Sequence, residues 1–583
     1  MNYELINKVV PEYSIEELLL TNRGIPYEKV SHYLNTTDDD LNSPYLLDNI
    51  EEAAKTFLKH VSKKNKICII VDSDADGFTS SALLINYINL LAGVDFTEEN
   101  VQWIFHEGKQ HGIELARLPQ DFDLLIVPDA GSNDYEEHKV LKEKGIDIIV
   151  LDHHEAEKVS ENAIIVNNHL CDYPNKDFSG VGITYKFCQV LDDLTGNDYA
   201  ENFLDLVALG LIGDMVEIKN FETRHLITKG LKDVKNPFFK TLAEANSFSI
   251  GGELNPISVA FYIVPFINAM NRSGTQEEKE LLFASMLEHK ADIPLPSTKR
   301  GHKPGDVEIL VDQACRICKN VKARQTKSQD NLLKIIENKV LDENLLDNKI
   351  IFIQLRDTDV DKNLRGLVAN KLASKYQRPT IIVSKDDKTN TWSGSARGYS
   401  ECELEDFKKF VVDTGLLIFG EGHANAFGFS IKDENVENFI KETNEKLKDI
   451  DFSIKYLVDM VIEDKLINSK DILKISSLSS LWGQGFPEPY IVLKNMVITK
   501  DNIFLRSPDK NPTLVMKYTD DIEIIKFKSS KEEYEGLLEA VGEMGCAQIT
   551  VIGKCSRNEW MGKITAQLKL IEFEIEKKIC YYF

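Results

Sequence analysis

IIVDSDADGFTSS, residues 69–81, is an apolar run that ends in three aspartates at alternate positions, Asp72, Asp74 and Asp76. Alternate residues of an extended chain share a face, and the turn that follows a strand brings neighbouring carboxylates toward one point. Three anions so close together are costly unless a cation lies among them. The stretch therefore predicts a buried strand that ends at a metal site.

A second apolar run, IDIIVLD at residues 146–152, leads directly into His153 and His154. Carboxylate oxygens and imidazole nitrogens at the ends of two strands suit a hard or borderline divalent metal. Asp129, in VPDAGSN, and Asp214, in ALGLIGDMVEI, occupy comparable places. A lone aspartate at such a place is most often a cap or a turn residue. Because four such places follow one another within one α/β unit, we predict a two-metal centre.

The types of these side chains favour particular ions and a particular reaction. Two cations about 4 Å apart that share a carboxylate lower the pKa of a water molecule and neutralise charge on a phosphate in flight. Carboxylates dominate and no thiolate is offered, which suits Mn²⁺ or Mg²⁺ better than zinc. The sequence therefore predicts a phosphoester hydrolase that depends on two divalent ions.

Apolar runs and helical patterns alternate between residues 66 and 215. The predicted strands are 66–72, 122–127, 146–152 and 163–167. The predicted helices are at about 79–92, 134–144, 182–194 and 201–212. This alternation is typical of a parallel sheet covered by helices, in which ligands collect at the carboxyl ends of the strands.

The rest of the chain predicts a long helix, a second α/β region and a β-rich region. Prolines and glycines between 294 and 305 precede a helical pattern at about 307–341. The second α/β region has predicted strands at 350–355, 379–384 and 391–397, and helices at about 362–376, 402–416 and 434–448. The last region has the many short strands of a small barrel or sandwich.

The fold class is therefore predicted as α/β, with several domains in one chain of 583 residues. The expected boundaries are a helical N-terminal extension at 1–60, a parallel-sheet domain at 61–295, a connecting long helix at 305–345, a second α/β domain at 346–450 and a β-barrel-like domain at 456–583.

Charge and composition limit the binding partners and the cellular compartment that can be expected for this chain. The formal net charge of −25 argues against indiscriminate binding to polyanions and confines any nucleic-acid contact to local surfaces. No apolar run reaches transmembrane length, and the first residues lack the basic and apolar segments of an export signal. Nine scattered cysteines are typical of reduced thiols. We therefore expect a cytoplasmic protein without a membrane partner.

The ordered motifs VDSDADG, VPDAGSN, LDHHE and GLIGDMV resemble those of the DHH phosphoesterase superfamily. Four further segments resemble motifs of RecJ exonucleases: IVPFINAMNRSG (263–274), SGSARGY (393–399), FGEGHANAFGFSI (419–431) and LWGQGFPEPY (481–490). The likeness covers nearly the whole chain in the family's order. It implies a DHH domain, a DHH-associated C-terminal domain and an OB-like domain.

The resemblance implies a 5′→3′ exonuclease that degrades single-stranded DNA in repair, recombination or replication, with two Mn²⁺ (or Mg²⁺) ions. A single-strand DNA-binding protein or a helicase is the implied protein partner. Two other functions remain open: a DHH phosphodiesterase acting on short oligonucleotides or cyclic dinucleotides, and a non-catalytic RecJ-like DNA-binding scaffold. The OB-like segment argues against the first, and the retained metal-ligand set argues against the second.

The resemblance also implies roles for individual residues. The matches to the family's metal ligands are Asp74, Asp76, Asp129, His153 and Asp214. Asp129 would bridge the ions, and His154 would lie near the scissile phosphate as a proton donor or orienter. Asp72 is a further candidate ligand, or a partner of one. The matches to substrate contacts are Asn268, Arg272, Arg397, Gly422 and His423.

Aromatic residues of the last region provide a candidate surface for single-stranded nucleic acid. Stacking side chains among cations are what such binding requires. The region offers Trp482, Phe486, Tyr490 and Trp560 among Lys494, Lys517 and Arg557. We expect Trp482, which lies beside two glycines, to be exposed and to contact the strand; the alternative is an aromatic residue of the core.

The chain departs from the family pattern at four places. Glu421 replaces the second glycine of the GGH motif, Asn271 replaces the glycine before Arg272, and Phe486 replaces an asparagine. The segment 106–114 matches its family counterpart only loosely. Because every ligand position is retained, we expect the chemistry to be intact.

Overall fold

A computed structural model describes residues 1–7, 12–106, 111–355, 364–399, 402–542 and 545–578. The chain forms two compact units, each built from separate stretches of sequence. One unit comprises Met1–Glu4 and Ala323–Leu457, and the other comprises Leu5–Lys322 and Val458–Phe583. Among the described residues, no helix has both the length and the apolar character needed to cross a bilayer.

The larger unit contains the predicted parallel sheet. Its five strands are β2 (Ile67–Val71), β3 (Val101–Phe105), β4 (Leu124–Pro128), β5 (Asp147–Asp152) and β6 (Ile164–Asn167), in the order β3-β2-β4-β5-β6. Every pairing is parallel. All five residues of β2 are buried, as expected for a central strand covered on both faces. The edge strand β3 was not predicted.

Helices precede, connect and cover these strands. They are α1 (Ile15–Asn22), α2 (Val30–Leu34), α3 (Ile50–Ser62), α4 (Ala75–Ala92), α5 (Val94–Asn100), α6 (Tyr135–Glu143), α7 (Gly180–Thr195), α8 (Leu204–Gly213), α9 (Phe221–Lys232), α10 (Pro237–Glu244), α11 (Ser247–Ile250), α12 (Pro256–Tyr262), α13 (Val264–Ser273) and α14 (Gln276–Met286). Helix α4 packs on α7 and α8, and most of its residues are buried.

A hairpin of β7 (Pro294–Pro296) and β8 (Val307–Ile309) precedes the long helix α15 (Leu310–Asp342). The helix was predicted from residue 307, but Val307–Ile309 instead pair as β8. Helix α15 starts in the larger unit and ends in the smaller one. It is the predicted long connecting helix.

The smaller unit is a second α/β domain. Its strands are β9 (Ile351–Leu355), β10 (Thr380–Asp386), β11 (Thr391–Arg397), β12 (Leu417–His423) and β13 (Ala426–Lys432), in the order β12-β13-β11-β10-β9. Its helices are α16 (Arg365–Tyr376), α17 (Phe407–Val412) and α18 (Val436–Lys446). Helix α17 is shorter than the predicted 402–416, and the hairpin of β12 and β13 was not predicted. A short strand β1 (Tyr3–Leu5) pairs with β14 (Tyr456–Val458).

The C-terminal region completes the larger unit with a seven-stranded sheet. Its strands are β15 (Met460–Glu463), β16 (Ile491–Thr499), β17 (Ile503–Arg506), β18 (Thr513–Lys517), β19 (Ile522–Phe527), β20 (Cys546–Trp560) and β21 (Lys563–Lys578), in the order β15-β16-β20-β21-β19-β18-β17. Two helices accompany it, α19 (Ser469–Ser477) and α20 (Lys531–Val541). One continuous apolar core joins the helices around the parallel sheet to this region.

Candidate metal centre

The first group of carboxylates lies between β2 and α4, as predicted. Asp74 caps the N-terminus of α4 and accepts a 3.0 Å hydrogen bond from the amide of Gly77. Asp76 lies in the first turn of the helix and is 1% exposed. Asp72 follows β2 directly and is also buried. The strand end and the helix start thus direct three carboxylates into the same region.

Asp129 follows β4 on the neighbouring strand and has a left-handed backbone, with φ +65°. Its amide donates to the carbonyl of Leu151 on β5 at 2.8 Å, which continues the sheet pairing for one residue. The side chain is 1% exposed, and Oδ1 has no hydrogen-bond partner among the described residues. A left-handed, buried aspartate with an unpaired oxygen is a costly arrangement that marks functional sites.

Asp152 ends β5 and organises the two histidines that follow. Its Oδ1 accepts hydrogen bonds from the amide of His153 at 2.7 Å and from the amide of His154 at 3.2 Å. It also lies 2.8 Å from Nδ1 of His154. Its Oδ2 accepts from the amide of Ser132 at 3.0 Å. Asp152 therefore fixes the orientation of His154, while His153 points elsewhere.

His153 lies between two of the predicted ligands. Its Nε2 is 3.2 Å from Oδ1 of Asp129 and 3.6 Å from Oδ2 of Asp214, which caps the C-terminus of α8. This nitrogen has no hydrogen-bond partner among the described residues. The contacts bring together side chains from β4, β5 and α8.

Three overlapping groups of side chains have ligand atoms within 4.8 Å of one another. These groups are Asp76, His153 and Asp214; Asp72, Asp74 and Asp129; and Asp129, Asp152, His153 and His154. Asp129 and His153 each belong to two of the groups and so lie at the centre of the cluster. The structure thus brings together all the predicted metal-site residues.

The electrostatics of the cluster are those of crowded anions. Burial, together with the charges of Asp72 and Asp76, raises the pKa of Asp74 to about 6. Burial and neighbouring carboxylates raise the pKa of Asp129 and of Asp214 well above the ordinary value. Burial lowers the pKa of His153 to about 4, so its imidazole is neutral at pH 7. Carboxylates that repel one another and a neutral imidazole are what a divalent cation requires of its ligands.

The residues present therefore fit a pair of divalent ions. Buried atoms without a hydrogen-bond partner among the described residues, on Asp129 and His153, face the cluster, and each would cost free energy if nothing bound it. Oxygen donors predominate, which suits Mn²⁺ or Mg²⁺.

His111 was not identified from the sequence, because it lies in the segment 106–114, which matches the family only loosely. Its Nδ1 lies 3.0 Å from Oδ1 of Asp72, and its ring meets that of His154 edge-on at 4.5 Å between centroids. Burial opposes protonation, but the adjoining Asp72 raises the pKa of His111 to about 9. The side chains of His111 and His154 are 43% and 45% exposed. Residues 107–110 of the same segment lie outside the described residues.

Helix α13 carries the predicted substrate residues Asn268 and Arg272. Burial lowers the pKa of Arg272, and the charge of Asp74 opposes this shift, which places the guanidinium near the carboxylates. Asn271 lies one turn from Asn268 on the same helix and is 2% exposed. Neither polar atom of its side-chain amide has a hydrogen-bond partner among the described residues. The glycine-to-asparagine departure thus adds a buried polar group beside Arg272.

The smaller unit brings the other predicted substrate residues to one end of its sheet. Arg397 on β11 and His423 on β12 both pair with Ala426 of β13, from opposite sides. Residues in one row across a sheet point to the same face. Arg397 and His423 therefore share a face, about 10 Å apart. Gly422 has φ +126°, which favours glycine.

The expectation that Trp482 is exposed is wrong. Its side chain is 2% exposed, it stacks on Phe486 at 5.9 Å between ring centroids, and the guanidinium of Arg23 lies 4.7 Å from its ring. The glycines beside it allow a turn to pack closely and do not expose the ring. Trp560, at the end of β20, is instead 71% exposed.

The sequence matches known domain families in the same order as the domains described above. The chain matches the DHH family N-terminal domain at residues 66–211, the DHHA1 domain at 347–449 and the RecJ OB domain at 458–572. It is 38% identical over 581 residues to YorK, a protein of the SPbeta prophage in Bacillus subtilis (strain 168) that carries the name of a single-strand DNA-specific exonuclease. That match covers 99% of this chain and 98% of YorK.

RecJ proteins are more distant relatives. The single-stranded-DNA-specific exonuclease RecJ of Bacillus subtilis (strain 168) is 27% identical over 95% of this chain and 67% of its own length. The crystal structure of RecJ in complex with Mn²⁺ from Thermus thermophilus matches with a TM-score of 0.70 at 20% identity, over 97% of this chain and 76% of that one. The chain therefore belongs to the RecJ family of single-strand DNA-specific exonucleases, within the DHH phosphoesterase superfamily.

Proposed function

We propose that this chain is a metal-dependent 5′→3′ exonuclease that hydrolyses single-stranded DNA. The observation that carries the proposal is the buried cluster centred on Asp129, in which carboxylates and a neutral imidazole leave unpaired atoms facing one another. Crowded carboxylates of this kind are costly to ionise unless cations lie among them. The names of its relatives in the RecJ family supply the substrate class.

Two Mn²⁺ (or Mg²⁺) ions would be held by the predicted ligands Asp74, Asp76, Asp129, His153 and Asp214. Asp129 would be the carboxylate shared by the two ions, because it is the carboxylate that belongs to two of the three groups. When bound, such ions activate water and neutralise charge on the phosphate. Asp72 would either bind an ion as well or act as a partner of His111, whose Nδ1 lies 3.0 Å from Oδ1 of Asp72.

We propose that His154 acts as a general acid–base group, which holds or transfers a proton at the leaving 3′-oxygen. Its Nδ1 is held at 2.8 Å by Asp152, and nearly half of its side chain is exposed. An imidazole fixed at one nitrogen presents the other in a defined direction, as general acid–base chemistry requires. Burial works against protonation, but the hydrogen bond and the charge of Asp152 raise the pKa of His154.

Substrate binding is assigned to cations and amides outside the metal cluster. Asn268 and Arg272 of α13 would hold phosphate near Asp74, because arginine binds phosphate oxygens bidentately. Arg397, Gly422 and His423 would contact the strand from the smaller unit. In the C-terminal domain, the exposed Trp560 takes the stacking role for which Trp482 is too deeply buried.

The domain division and the cellular setting are part of the same proposal. We divide the chain into an N-terminal extension (1–60), a DHH domain (61–295), a connecting helix (305–345), a DHH-associated domain (346–450) and an OB-like domain (456–583). A single-strand DNA-binding protein or a helicase would supply the substrate. The protein would act in the cytoplasm, in DNA repair, recombination or replication.

The test is a polarity and substrate assay. Single and double strands of DNA and RNA, labelled at the 5′ or the 3′ end, are incubated with the protein while Mn²⁺ is titrated. We expect metal-dependent release of the 5′ label from single-stranded DNA, and no release by Asp129→Asn. Preference for a dinucleotide over a long strand would instead identify a phosphodiesterase of small substrates. Strand binding without metal-dependent hydrolysis would identify a scaffold.

A further inference from the structure

The segment that follows Asp214 is held in place by the C-terminal domain. The amide of Ile218 donates to the carbonyl of Gln484 at 3.2 Å. The carbonyl of Ile218 accepts a 2.9 Å hydrogen bond from the hydroxyl of Tyr33. Both backbone groups of Ile218 are thus fixed by residues far away in sequence, one of them in the OB domain.

Two glycines allow the turn at residues 482–486 to approach this segment. A Cβ atom on Gly485 would lie 2.6 Å from Cγ of Glu217, and the residue has φ +67°. A Cβ atom on Gly483 would lie 3.0 Å from Cδ1 of Ile218. The turn therefore lies directly against the side chains of Glu217 and Ile218, and a side chain at Gly485 would have to displace that of Glu217.

The turn itself is firmly anchored. Gly483 and Phe486 exchange backbone hydrogen bonds of 2.9 and 3.1 Å. The rings of Trp482 and Phe486 are buried, and Phe486 packs against Tyr33 at 5.3 Å between centroids. An anchored turn transmits its position to what it touches because packed interiors are stiff.

The residue directly after Asp214 shows that the segment is constrained. Met215 has φ +61°, which is uncommon for a residue with a side chain and persists only where the surroundings enforce it. This left-handed residue closes helix α8, where the amide of Met215 donates to the carbonyl of Ile212 at 3.2 Å and the amide of Val216 to that of Leu211 at 3.3 Å. Glu217 and Ile218, which the turn of the OB domain contacts, follow two and three residues further along. Moving these residues would move Asp214, because the intervening backbone is short.

We propose that the turn Gly483–Phe486 of the OB domain positions Asp214 and so sets the affinity of the metal centre, with Gly485 as the principal positioning residue. The inference rests on the proposed function, since it takes Asp214 as a metal ligand. It makes the nucleic-acid-binding domain a structural part of the metal site. Residues that orient ligands typically change metal affinity by about 10- to 100-fold when altered.

The test measures binding of Mn²⁺ alone to the full chain, without DNA, from the electron paramagnetic resonance signal of free Mn²⁺. We expect Gly485→Ala to raise the Mn²⁺ dissociation constant by about tenfold. The matched control is Gly415→Ala: Gly415 has φ +68°, and its added Cβ would meet no heavy atom of the described chain within 4 Å. Gly415→Ala carries the same backbone strain and should leave the dissociation constant within about twofold of the parent.

A second substitution distinguishes a shift in the position of Asp214 from a general loss of structure. Glu217→Ala removes the atoms that the methyl group added by Gly485→Ala would meet, so the two substitutions combined should recover Mn²⁺ affinity. If Gly485→Ala does not fold, Gly483→Ala, with its looser 3.0 Å contact, is measured instead. Equal Mn²⁺ affinities in Gly485→Ala (or its replacement) and Gly415→Ala would overturn the inference. Unaltered Mn²⁺ binding by Asp214→Ala would instead overturn the ligand assignment on which it rests.

Discussion

The amide of Gly180 donates a 2.6 Å hydrogen bond to Oδ2 of Asp76, so a carboxylate of the candidate metal centre lies at the first turn of α7. The amide of Val181 and the hydroxyl of Ser179 donate to the other oxygen, at 3.1 and 3.0 Å. Helix N-termini favour anions, which offsets part of the cost of burying Asp76. A Cβ atom on residue 180 would lie 2.6 Å from Cβ of Asp129. Because Gly180 has no side chain, the N-terminus of α7 can lie close to the carboxylates of both Asp76 and Asp129.

Gly180→Ala should weaken metal binding. The added methyl group must displace Asp129 or the start of α7, and either movement spoils the ligand geometry. We expect a loss of about 10- to 100-fold in Mn²⁺ affinity, measured by titration calorimetry, with a matching fall in hydrolysis at low Mn²⁺. Gly536→Ala is the control, because Gly536 lies in α20 with open space around its Cα. That variant should bind Mn²⁺ normally and gain up to about 1 kcal/mol of stability.

Asp129→Asn should stabilise the metal-free protein while abolishing hydrolysis. Because the pKa of Asp129 is raised in the folded state, the ionised carboxylate lowers the free energy of unfolding progressively as pH rises above the ordinary aspartate value. Asparagine mimics the protonated form and tolerates the left-handed backbone. In EDTA at pH 7.5, the variant should gain about 1 kcal/mol or more in urea unfolding.

Saturating Mn²⁺ should reverse this order of stability, since only the parent protein binds the ions tightly. Binding at 100 times the dissociation constant contributes about 2.7 kcal/mol. A parent protein that is already the more stable of the two in EDTA would contradict the account of carboxylate repulsion.

Substitution of Trp482 should lower the stability of the protein, whereas substitution of Trp560 should weaken its binding to DNA. Trp482→Ala removes a buried ring and should lower the free energy of unfolding by about 3–5 kcal/mol, with DNA affinity of the folded fraction unchanged. Trp560→Ala should leave the urea midpoint unaltered and weaken binding of a fluorescent single strand by about 1–3 kcal/mol in anisotropy titrations. The opposite pattern would restore Trp482 as the stacking residue.

His138 should make the protein sensitive to mild acid. It lies in α6 with 0% exposure, and burial lowers its pKa to about 4. The unfolded chain takes up a proton near pH 6.5 and the folded chain does not. The free energy of unfolding therefore falls as pH drops from about 6.5 to 4, by at most about 3 kcal/mol, and levels off below. His138→Leu should remove this component when urea unfolding of the two proteins is compared between pH 7 and pH 5.

Patterns local in sequence predicted which acidic and histidine side chains cluster together. Asp72, Asp74 and Asp76, like Asp152 and His153, sit immediately after apolar runs, and a parallel sheet places such residues at one edge. The strand Val101–Phe105 was missed because it directly follows a helix and lies at the edge of the sheet. The hairpin of β12 and β13 was missed because its glycines and charges obscure the alternation of a strand.

Long-range contacts explain the other errors. Nothing near Trp482 in the sequence indicates that Arg23 covers its ring, since the two residues are joined only by the fold. His111 likewise reaches Asp72 and His154 through tertiary structure, without a local pattern of its own. Contacts of this kind are set by how elements pack, which neither periodicity nor residue spacing encodes.

The ion pair of Arg23 and Asp459 has a consequence for synthesis of the protein on the ribosome. The guanidinium makes two hydrogen bonds to the carboxylate, at 2.7 and 3.1 Å, across 436 residues of chain. At about 5–20 residues per second, translation needs roughly 20–90 s to deliver the acidic partner. Until then, Arg23 lacks this partner and α1 can contact only its neighbours in the N-terminal region, so α1 is among the last helices to be secured.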